Sequence, residues 1–336
     1  MTYNYNAPWH TLKTVCLGRS YSSSFYSEIK NSKIRELLMQ IAIETEEDYT
    51  NIQLTLKQAG VEVVRPSIPE SSILNYADVN GRITHLTANS FTLIPRPPMQ
   101  PRDSQLIIGS TLIATNDEIH AYSDVLDINC AITVDDGLYF DAPYVTVIGQ
   151  DLIVDRRDQP WLDSYIQKQF PNHRVTAVDI GGHNDAVFAT IKPGVIISTY
   201  DHTNYSDTFP NWDVFYVDRQ SWNAIPEWRK LKHSNAGKWW MPGEENNTEF
   251  TIFVETWLTN WLGYVEETVF DVNMLMLDEH TVLVNNYNKE VFEFFKKHRV
   301  EPIIAPFRHR FFWDGGIHCI TSDFYREGES ECYINR

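Results

Sequence analysis

The apolar positions of the chain follow two patterns, short paired runs and one long segment with helical spacing. Two apolar runs flank a turn at Gly109, at Gly149, at residues 193–194 and at residues 278–279, which predicts four hairpins. Between residues 31 and 58, apolar side chains recur at three- and four-residue steps, which predicts a long helix. The chain is therefore expected to be a mixed α/β protein.

Two short strands, a helix and a further strand recur about five times along the 336 residues. The units share this pattern but almost no sequence identity, and no change in composition marks a domain boundary. We expect one domain over residues 1–336, a closed arrangement of ββαβ-like units. The remaining predicted elements are helices at 160–170, 249–261 and 289–298, and strands at 61–66, 175–178, 214–217 and 300–305.

Composition narrows the classes of partner. With 43% hydrophobic and 22% charged residues the chain is an ordinary globular one, and no apolar run approaches the length of a membrane span. A net charge of -17 argues against nucleic acid and anionic membranes as partners. It suits a cationic small molecule, with simple solubility as the alternative. The N-terminus lacks the basic and apolar regions of a secretory signal, so a cytoplasmic location is expected.

The four cysteines form no CxxC pair, which argues against a disulfide scaffold and favours a reducing compartment. Cys16 and Cys130 have the sequence setting of small buried hydrophobes. A metal site has little support, because His318 and Cys319 would face opposite sides of a strand and Cys332 is isolated. No phosphate-binding glycine motif is found either, so the sequence predicts no metal and no cofactor.

Three segments place polar groups beside apolar strands. Asp141 stands at the head of one strand, and Cys319 follows a double-glycine turn that would present its sulfur at the end of another. His183 and Asp185 would point to the same side of an extended segment. A nucleophilic thiol needs an imidazole, often oriented by a carboxylate. The residues alone leave two interpretations open: a Cys319/His183/Asp141 catalytic site, or a buried cysteine, a turn histidine and a capping aspartate.

Several short motifs, spread over nearly the whole chain, occur in an order that is more specific than any one of them. They are Gly18-Arg19, Gly60-Val61-Glu62-Val63, Pro101-Arg102-Asp103, Phe140-Asp141-Ala142, His183-Asn184-Asp185-Ala186, the stretch 272–279 (VNMLMLDE) and Gly315-Gly316-Ile317-His318-Cys319.

Together these motifs resemble those of the amidinotransferases, within the wider superfamily of guanidino-group-modifying enzymes. The resemblance implies the pentein fold, a five-bladed α/β propeller of ββαβ units, in agreement with the repeated pattern. It implies that Cys319 attacks the guanidinium carbon of an L-arginine donor. His183 would protonate the departing amine and later deprotonate the acceptor, with Asp141 orienting the imidazole. Asp103 and Asp185 match the carboxylates that hold the donor guanidinium.

Two positions depart from the family pattern. The arginine that usually binds the donor carboxylate, shortly after the Pro-Gly turn, corresponds here to His202, which is shorter and only partly charged near neutral pH. A donor-contacting serine is replaced by Glu267. Arg308 is a candidate for a substitute contact with the donor carboxylate.

The leading functional hypothesis is therefore transfer of an amidino group from L-arginine to a small amine, glycine by default, with release of ornithine and without a cofactor. One alternative is a hydrolase of arginine or another guanidine on the same scaffold. Another is a non-catalytic protein that binds guanidino compounds. The expected partners are small molecules, and the sequence does not decide between a monomer and a homodimer.

Overall fold

The computed structural model describes residues 2–80, 94–134, 138–218, 241, 243–244, 246–261 and 270–335. Glu267 and the whole tryptophan-rich stretch 222–240 lie outside these ranges. Within them, the strands form five sheets of three strands each. This arrangement confirms the predicted mixed α/β architecture of five repeated units.

All five sheets have the same design. The first strand runs antiparallel to the second, and the third runs parallel to the second. The sheets are β3 (Gln105–Ile108), β4 (Thr111–Ala114) and β5 (Ile132–Thr133); β6 (Val145–Ile148), β7 (Asp151–Asp155) and β8 (Arg174–Val178); β9 (Phe188–Lys192), β10 (Val195–Ser198) and β11 (Asp213–Tyr216); β12 (Leu275–Asp278), β13 (Thr281–Val284) and β14 (Glu301–Ile304); and β15 (Thr321–Glu327), β1 (Thr11–Leu17) and β2 (Glu62–Val64).

The fifth sheet joins the two ends of the described chain. Its first strand is β15, and its second and third strands are β1 and β2. The antiparallel pair β1–β15 runs from Thr11 opposite Glu327 to Leu17 opposite Thr321. The ring of units is thus closed by strand pairing between distant parts of the sequence.

Helices connect the strands and also precede some of them. The longest, α1, begins after Asn31, whose side chain accepts hydrogen bonds from the backbone N–H groups of Lys33 and Ile34. Asn31 is thus the N-terminal cap of α1. The helices are α1 (Ser32–Gln58), α2 (Pro101–Ser104), α3 (Leu162–Gln169), α4 (Asn184–Val187), α5 (Tyr205–Thr208), α6 (Thr248–Trp257), α7 (Lys289–Lys297) and α8 (Arg310–Trp313).

The first strands of the five sheets, β3, β6, β9, β12 and β15, surround one central axis, and we call them the inner strands. Each contributes at least one side chain to a single cavity: Leu106, Val147, Ala189, Met276 and Ser322. The segments that lead into the inner strands can therefore meet at one end of this axis.

Most of the predicted elements are observed. The four hairpins are confirmed, and Gly109 and Gly149 have positive φ angles of 57° and 61° in their turns. The helix predicted at 249–261 is observed but is shorter, since α6 ends at Trp257.

Cys130 is exposed, which corrects its expected burial, whereas Cys16 is buried as predicted. Within the described ranges, no helix has the length and apolar character needed to cross a membrane.

Candidate functional site

Polar side chains lie immediately before the inner strands. Asp103 is in α2, which leads into β3, and Asp141 precedes a single 3-10 turn that leads into β6. Asp185 is in α4, directly before β9. Cys319 lies two residues before β15. The apolar strands form the core, and the segments that directly precede them contain the candidate catalytic and binding residues.

Cys319 lies in a turn and not in a strand. The N–H of Ile320 donates to the carbonyl of Gly316 at 3.1 Å, and β15 begins only at Thr321. Its sulfur is thus presented beside the end of β15, as the sequence predicts. The expectation that His318 and Cys319 face opposite sides of a strand is wrong: Nδ1 of His318 lies 2.7 Å, and Sγ of Cys319 3.7 Å, from the same carboxylate oxygen, Oδ2 of Asp185.

The two glycines before Cys319 are required by close packing. A Cβ on Gly316 would lie 2.5 Å from Oδ1 of Asn273 and 2.8 Å from Nδ2 of Asn285. A Cβ on Gly315 would lie 2.2 Å from Nε2 of Gln100, which donates to the carbonyls of Trp313 and Asp314. The turn is thus clamped by three amide side chains.

We expect Gly316→Ala to destabilise the protein by about 1–3 kcal/mol, because the new methyl group must displace buried amides. The same displacement should slow alkylation of Cys319, since it moves the clamp on the turn. Urea unfolding and the rate of reaction with iodoacetamide would measure the two effects. Gly194→Ala is the control: its φ is 84° and nothing lies within 4 Å of the new methyl. It should cost about 1 kcal/mol in backbone strain and leave the thiol unaffected. Unchanged stability and alkylation in Gly316→Ala would contradict the tight clamp.

His183 is buried and pairs with Asp141, with 3.2 Å between Nε2 and the carboxylate oxygen Oδ2. Burial opposes ionisation of Asp141, but the hydrogen bond and charge of His183, helped by Asn116, hold the pKa of Asp141 below its ordinary value. Asn116 donates to Oδ1 of Asp141 at 3.1 Å and to the carbonyl of Asp103 at 3.3 Å. The imidazole is thus oriented by an ionised carboxylate.

The loop before His183 is held by one buried carboxylate, Asp155 at the end of β7. It accepts hydrogen bonds from the backbone N–H groups of Ile180, Gly181 and Gly182, at 2.9, 2.7 and 2.9 Å. Gly181 has a φ of 82°, which favours glycine. The conformation that delivers His183 to the site is therefore fixed by the adjacent sheet.

Asp185 is buried and lies in helical backbone, which corrects the extended segment expected from the sequence. Its Oδ2 accepts from Nδ1 of His318 at 2.7 Å and from Nδ2 of Asn273 at 3.2 Å. Burial opposes its ionisation, but the hydrogen bond from His318, with the charges of His318, His183 and Arg102, holds the pKa of Asp185 below its ordinary value. Asp185 is thus an anion beside the thiol.

Arg102 couples the helix of Asp103 to the turn of Cys319. Its guanidinium donates to the carbonyl of Thr321 at 2.9 Å and pairs with Asp323 at 2.9 Å. Despite burial, Arg102 and Arg326 lower the pKa of Asp323 to about 2. Asp103 itself lies 3.7 Å from Nη1 of Arg96, and its negative charge acts on the Cys319 thiol.

The Cys319 thiol is buried between anions. Burial, with the charges of Asp185 and Asp103, raises its pKa well above the ordinary value, against the smaller opposing effect of a hydrogen bond from Asn273. The thiol is accordingly protonated near neutral pH. A cation that neutralised the two carboxylates would reverse the largest electrostatic part of this shift.

Two predicted contact residues interact with other side chains. Arg308 lies against α1, where its guanidinium meets Glu47 at 2.7 Å and Asp48 at 2.9 Å. No described contact joins it to the cluster around Cys319. His202 packs edge-on against Tyr205, and burial lowers the pKa of His202, which favours its neutral form. Neither side chain therefore supplies a free positive charge beside the thiol in the part of the chain that is described.

Sequence reasoning missed two amides, Asn116 and Asn273, because an isolated asparagine carries no chemical signature. The position of Asn273 did carry a signal. Asn273 lies two residues before β12, the same distance that separates Asp103 from β3 and Cys319 from β15. Among the described residues, no group of three or more His, Cys, Asp or Glu side chains could hold a metal ion.

Comparisons with known proteins bear first on the fold. The chain superposes on the SxtG amidinotransferase of the saxitoxin biosynthetic pathway from Microseira wollei, with a TM-score of 0.67, 16% identity and 99% of each chain covered. It superposes on the inosamine-phosphate amidinotransferase StrB1 from Streptomyces griseus with a TM-score of 0.64, 17% identity and 99% of each chain covered. The chain has the pentein fold. The predicted five-unit α/β propeller is confirmed.

The amino-acid sequence is similar to the mitochondrial glycine amidinotransferase of Danio rerio, with 23% identity over 202 residues. The match covers 58% of this chain and 40% of that protein, so the chain spans less than half the length of this curated relative.

Hydrolases share the fold: the N-terminal domain of the cyanobacterial arginine dihydrolase ArgZ gives a TM-score of 0.53 at 11% identity, covering 94% and 97% of the two chains. No family model matches the chain. The predicted resemblance to amidinotransferases is confirmed by the first three matches.

Proposed function

We propose that this pentein protein is an amidinotransferase that moves the amidino group of L-arginine to a small amine through a covalent intermediate on Cys319. The observation that carries the proposal is the contact of a buried thiol with the carboxylate of Asp185, at 3.7 Å, beside a separate His183–Asp141 pair. Similarity to three named amidinotransferases supports the reaction class. Glycine is the default acceptor because the curated relative is a glycine amidinotransferase.

The carboxylates account for recognition of the donor. A guanidinium is a planar cation with paired N–H donors, and it meets carboxylates in a bidentate manner. Asp185 and Asp103 are both buried, and both act electrostatically on the thiol. A guanidinium bound between them would hold its carbon next to Sγ of Cys319 and would neutralise the charges that keep the thiol protonated.

The first half-reaction then proceeds with balanced protons. Cys319 loses its proton to His183, and the thiolate attacks the guanidinium carbon. The bond from that carbon to the side-chain nitrogen of the donor breaks, and the imidazolium of His183 protonates the departing amine, which leaves as ornithine. An S-amidino-cysteine remains, so one difficult exchange is divided into two easier steps.

The second half-reaction reverses the roles. The acceptor amine loses a proton to His183 as it attacks the amidino carbon, the C–S bond breaks, and the sulfur leaves as a thiolate that recovers its proton from His183. Asp141 stabilises the imidazolium in both halves, since its carboxylate accepts the hydrogen bond from the ring. No cofactor takes part in this scheme.

The proposal is tested by incubating the protein with L-arginine, alone and with glycine or other small amines, and by measuring ornithine and the guanidino product. Continued ornithine formation should require an amine, because arginine alone can release at most one ornithine for each Cys319 that is amidinated. Mass spectrometry of the intact protein after brief exposure to arginine should show an amidino adduct on the peptide of Cys319. If no amine yields ornithine, the transferase assignment fails.

A hydrolase is the second candidate, because an arginine dihydrolase shares the fold and because His202 stands where the family has an arginine. In this case water replaces the amine as the acceptor. Formation of citrulline, ammonia or urea from arginine in water alone would favour it. A protein that bound arginine in a calorimeter without forming any product would be the non-catalytic binder.

Substrate should promote ionisation of its own nucleophile. We expect acetamidinium, a planar cation with N–H donors and an unbreakable C–C bond, to lower the pKa of Cys319 by at least about one unit, since it neutralises Asp185 and Asp103. Thiolate absorbance in the ultraviolet, with Cys319→Ser subtracted, would follow the titration. Below the free-enzyme pKa, the thiolate signal should rise when acetamidinium is added.

Tetramethylammonium is the matched control, because it has the same charge but no N–H donor. It should leave the titration nearly unchanged. An equal effect of both cations would show that general screening, and not recognition by the carboxylates, moves the thiol pKa.

A further inference from the structure

Asn273 is the polar residue that the remaining inner strand, β12, brings to the same end of the axis. It is fully buried, and its side-chain contacts converge on Cys319 and Asp185. Its Oδ1 accepts from the backbone N–H groups of His318 and Cys319, at 3.0 and 3.2 Å. Its Nδ2 donates to Sγ of Cys319 at 3.0 Å and to Oδ2 of Asp185 at 3.2 Å. Two acceptor sites and two donor hydrogens are thus all engaged.

The orientation of this amide follows from its neighbours. Oδ1 faces two backbone N–H donors, which only an oxygen can satisfy, so the NH₂ group must face the sulfur and the carboxylate. A second amide braces it: Nδ2 of Asn285 donates to the Asn273 carbonyl at 2.7 Å, and Oδ1 of Asn285 accepts from the N–H of Ile317 at 3.0 Å. The donor is therefore aimed at the sulfur before any substrate arrives.

We propose that Asn273 is a catalytic residue, whose Nδ2–H group stabilises the Cys319 thiolate as it forms and again as it leaves the amidino carbon. This proposal rests on the function proposed above and names a further residue of the same site. A hydrogen bond to an ionised acceptor is roughly twice as strong as one to a neutral acceptor. The hydrogen bond therefore strengthens when negative charge develops on the sulfur and weakens when the S-amidino bond removes that charge. Because it stabilises the charged sulfur more than the neutral one, it lowers the barrier of both half-reactions.

The neutral amide also fits the charge of the substrate. A lysine or arginine at this position would stabilise a thiolate more strongly, but it would repel a guanidinium and compete with it for Asp185. An amide donates to sulfur without adding a positive charge. It can thus stabilise the thiolate without competing with the guanidinium substrate for the carboxylates of Asp185 and Asp103.

Several charged or titratable groups surround the thiol. Asp103 and Arg102 come from α2, Asp185 comes from α4 and His318 from the turn itself, while His183 acts through Asp185. Arg102 is neutralised by Asp323 of β15, and burial lowers the pKa of His318. Asn273 is the neutral side chain that donates a hydrogen bond to this sulfur within the described part of the protein.

The test compares Asn273→Asp with Asn285→Asp in the full chain. Asn273→Asp keeps the oxygen that binds the turn but replaces the donor to sulfur. Alkylation of Cys319 by iodoacetamide at pH 9 should slow by at least about tenfold, and kcat should fall by about 10²–10³-fold, the usual loss for one donor to a developing anion. Asn285→Asp adds the same negative charge and also loosens the clamp, because it loses the donor to the Asn273 carbonyl, but it leaves the donor to sulfur in place. Its alkylation should therefore slow at least about fivefold less than that of Asn273→Asp.

If Asn273→Asp fails to fold, Asn273→Ser provides the same comparison, since its hydroxyl is too short to span both the turn and the sulfur. Alkylation is measured without substrate, so it reports on the hydrogen bond even if no amidino transfer is ever found. An unchanged alkylation rate in the Asn273 variants would overturn the proposal. Equal slowing in Asn285→Asp would also overturn it, because the effect would then come from the clamp on the turn.

Discussion

Replacing Cys319 with serine should abolish ornithine formation, with kcat reduced by at least about 10⁴-fold. A serine hydroxyl is a far weaker acid than a thiol, and the anions Asp185 and Asp103 that already raise the thiol pKa would oppose its ionisation even more. Binding of arginine should persist, because the two carboxylates are unchanged and serine is nearly the size of cysteine. Product analysis and calorimetry on the same sample would separate the two effects.

Cys130→Ser is the matched control, since Cys130 is an exposed free thiol. It should keep full activity, and the amidino adduct should remain on the peptide of Cys319. Turnover retained in Cys319→Ser would remove Cys319 from the role of nucleophile. Loss of arginine binding in that variant would instead indicate that the substitution had disturbed the carboxylates.

Replacing His183 with alanine should lower kcat by about 10²–10⁴-fold, the range typical for loss of a general acid–base group. The departing amine would lose its proton donor, and the acceptor would have to lose its proton to solvent. Steady-state assays with saturating arginine and amine would measure the loss.

His280→Ala is a suitable comparison, because His280 is exposed in the turn at the far end of β12. Its activity should match that of the wild-type protein. Undiminished activity of His183→Ala would show that another group transfers the proton. Added imidazole that restored activity would support the assigned role.

The architecture was predictable from the sequence because the hairpins and α1 are local. Alternating apolar runs around Gly109 and Gly149 fix the strand pairs, and Asn31 marks the start of α1, without help from distant residues. The conformation around the site was less predictable. The residues around Cys319 have the apolar pattern of a strand. Two amides, Asn273 and Asn285, hold this stretch in a turn through hydrogen bonds between residues 46 and 32 positions apart.

The contacts of Arg308 and His202 were not predictable for the same reason. Motif alignment proposes a donor contact for each, but side-chain contacts depend on tertiary partners that alignment does not contain. Arg308 is drawn to the acidic face of α1, more than 250 positions away in sequence. For His202, burial beside Tyr205 removes the charge that an anion contact would need. Local pattern thus predicts elements, whereas long-range polar contacts decide which side chains meet.

The pairing of β1 with β15 has a consequence for folding kinetics. Cys319 lies at the entrance of β15, whose hydrogen-bonded neighbour begins at Thr11, so its turn is secured by a contact across some 300 positions. Contacts of such sequence separation form late and slowly, since the loop-closure entropy must be lost first. A ribosome-bound chain would carry Asp103, Asp141 and His183 well before the thiol could join them. Native reactivity of Cys319 should therefore be the last property regained in refolding. Its alkylation rate during refolding would measure how fast β1 and β15 pair.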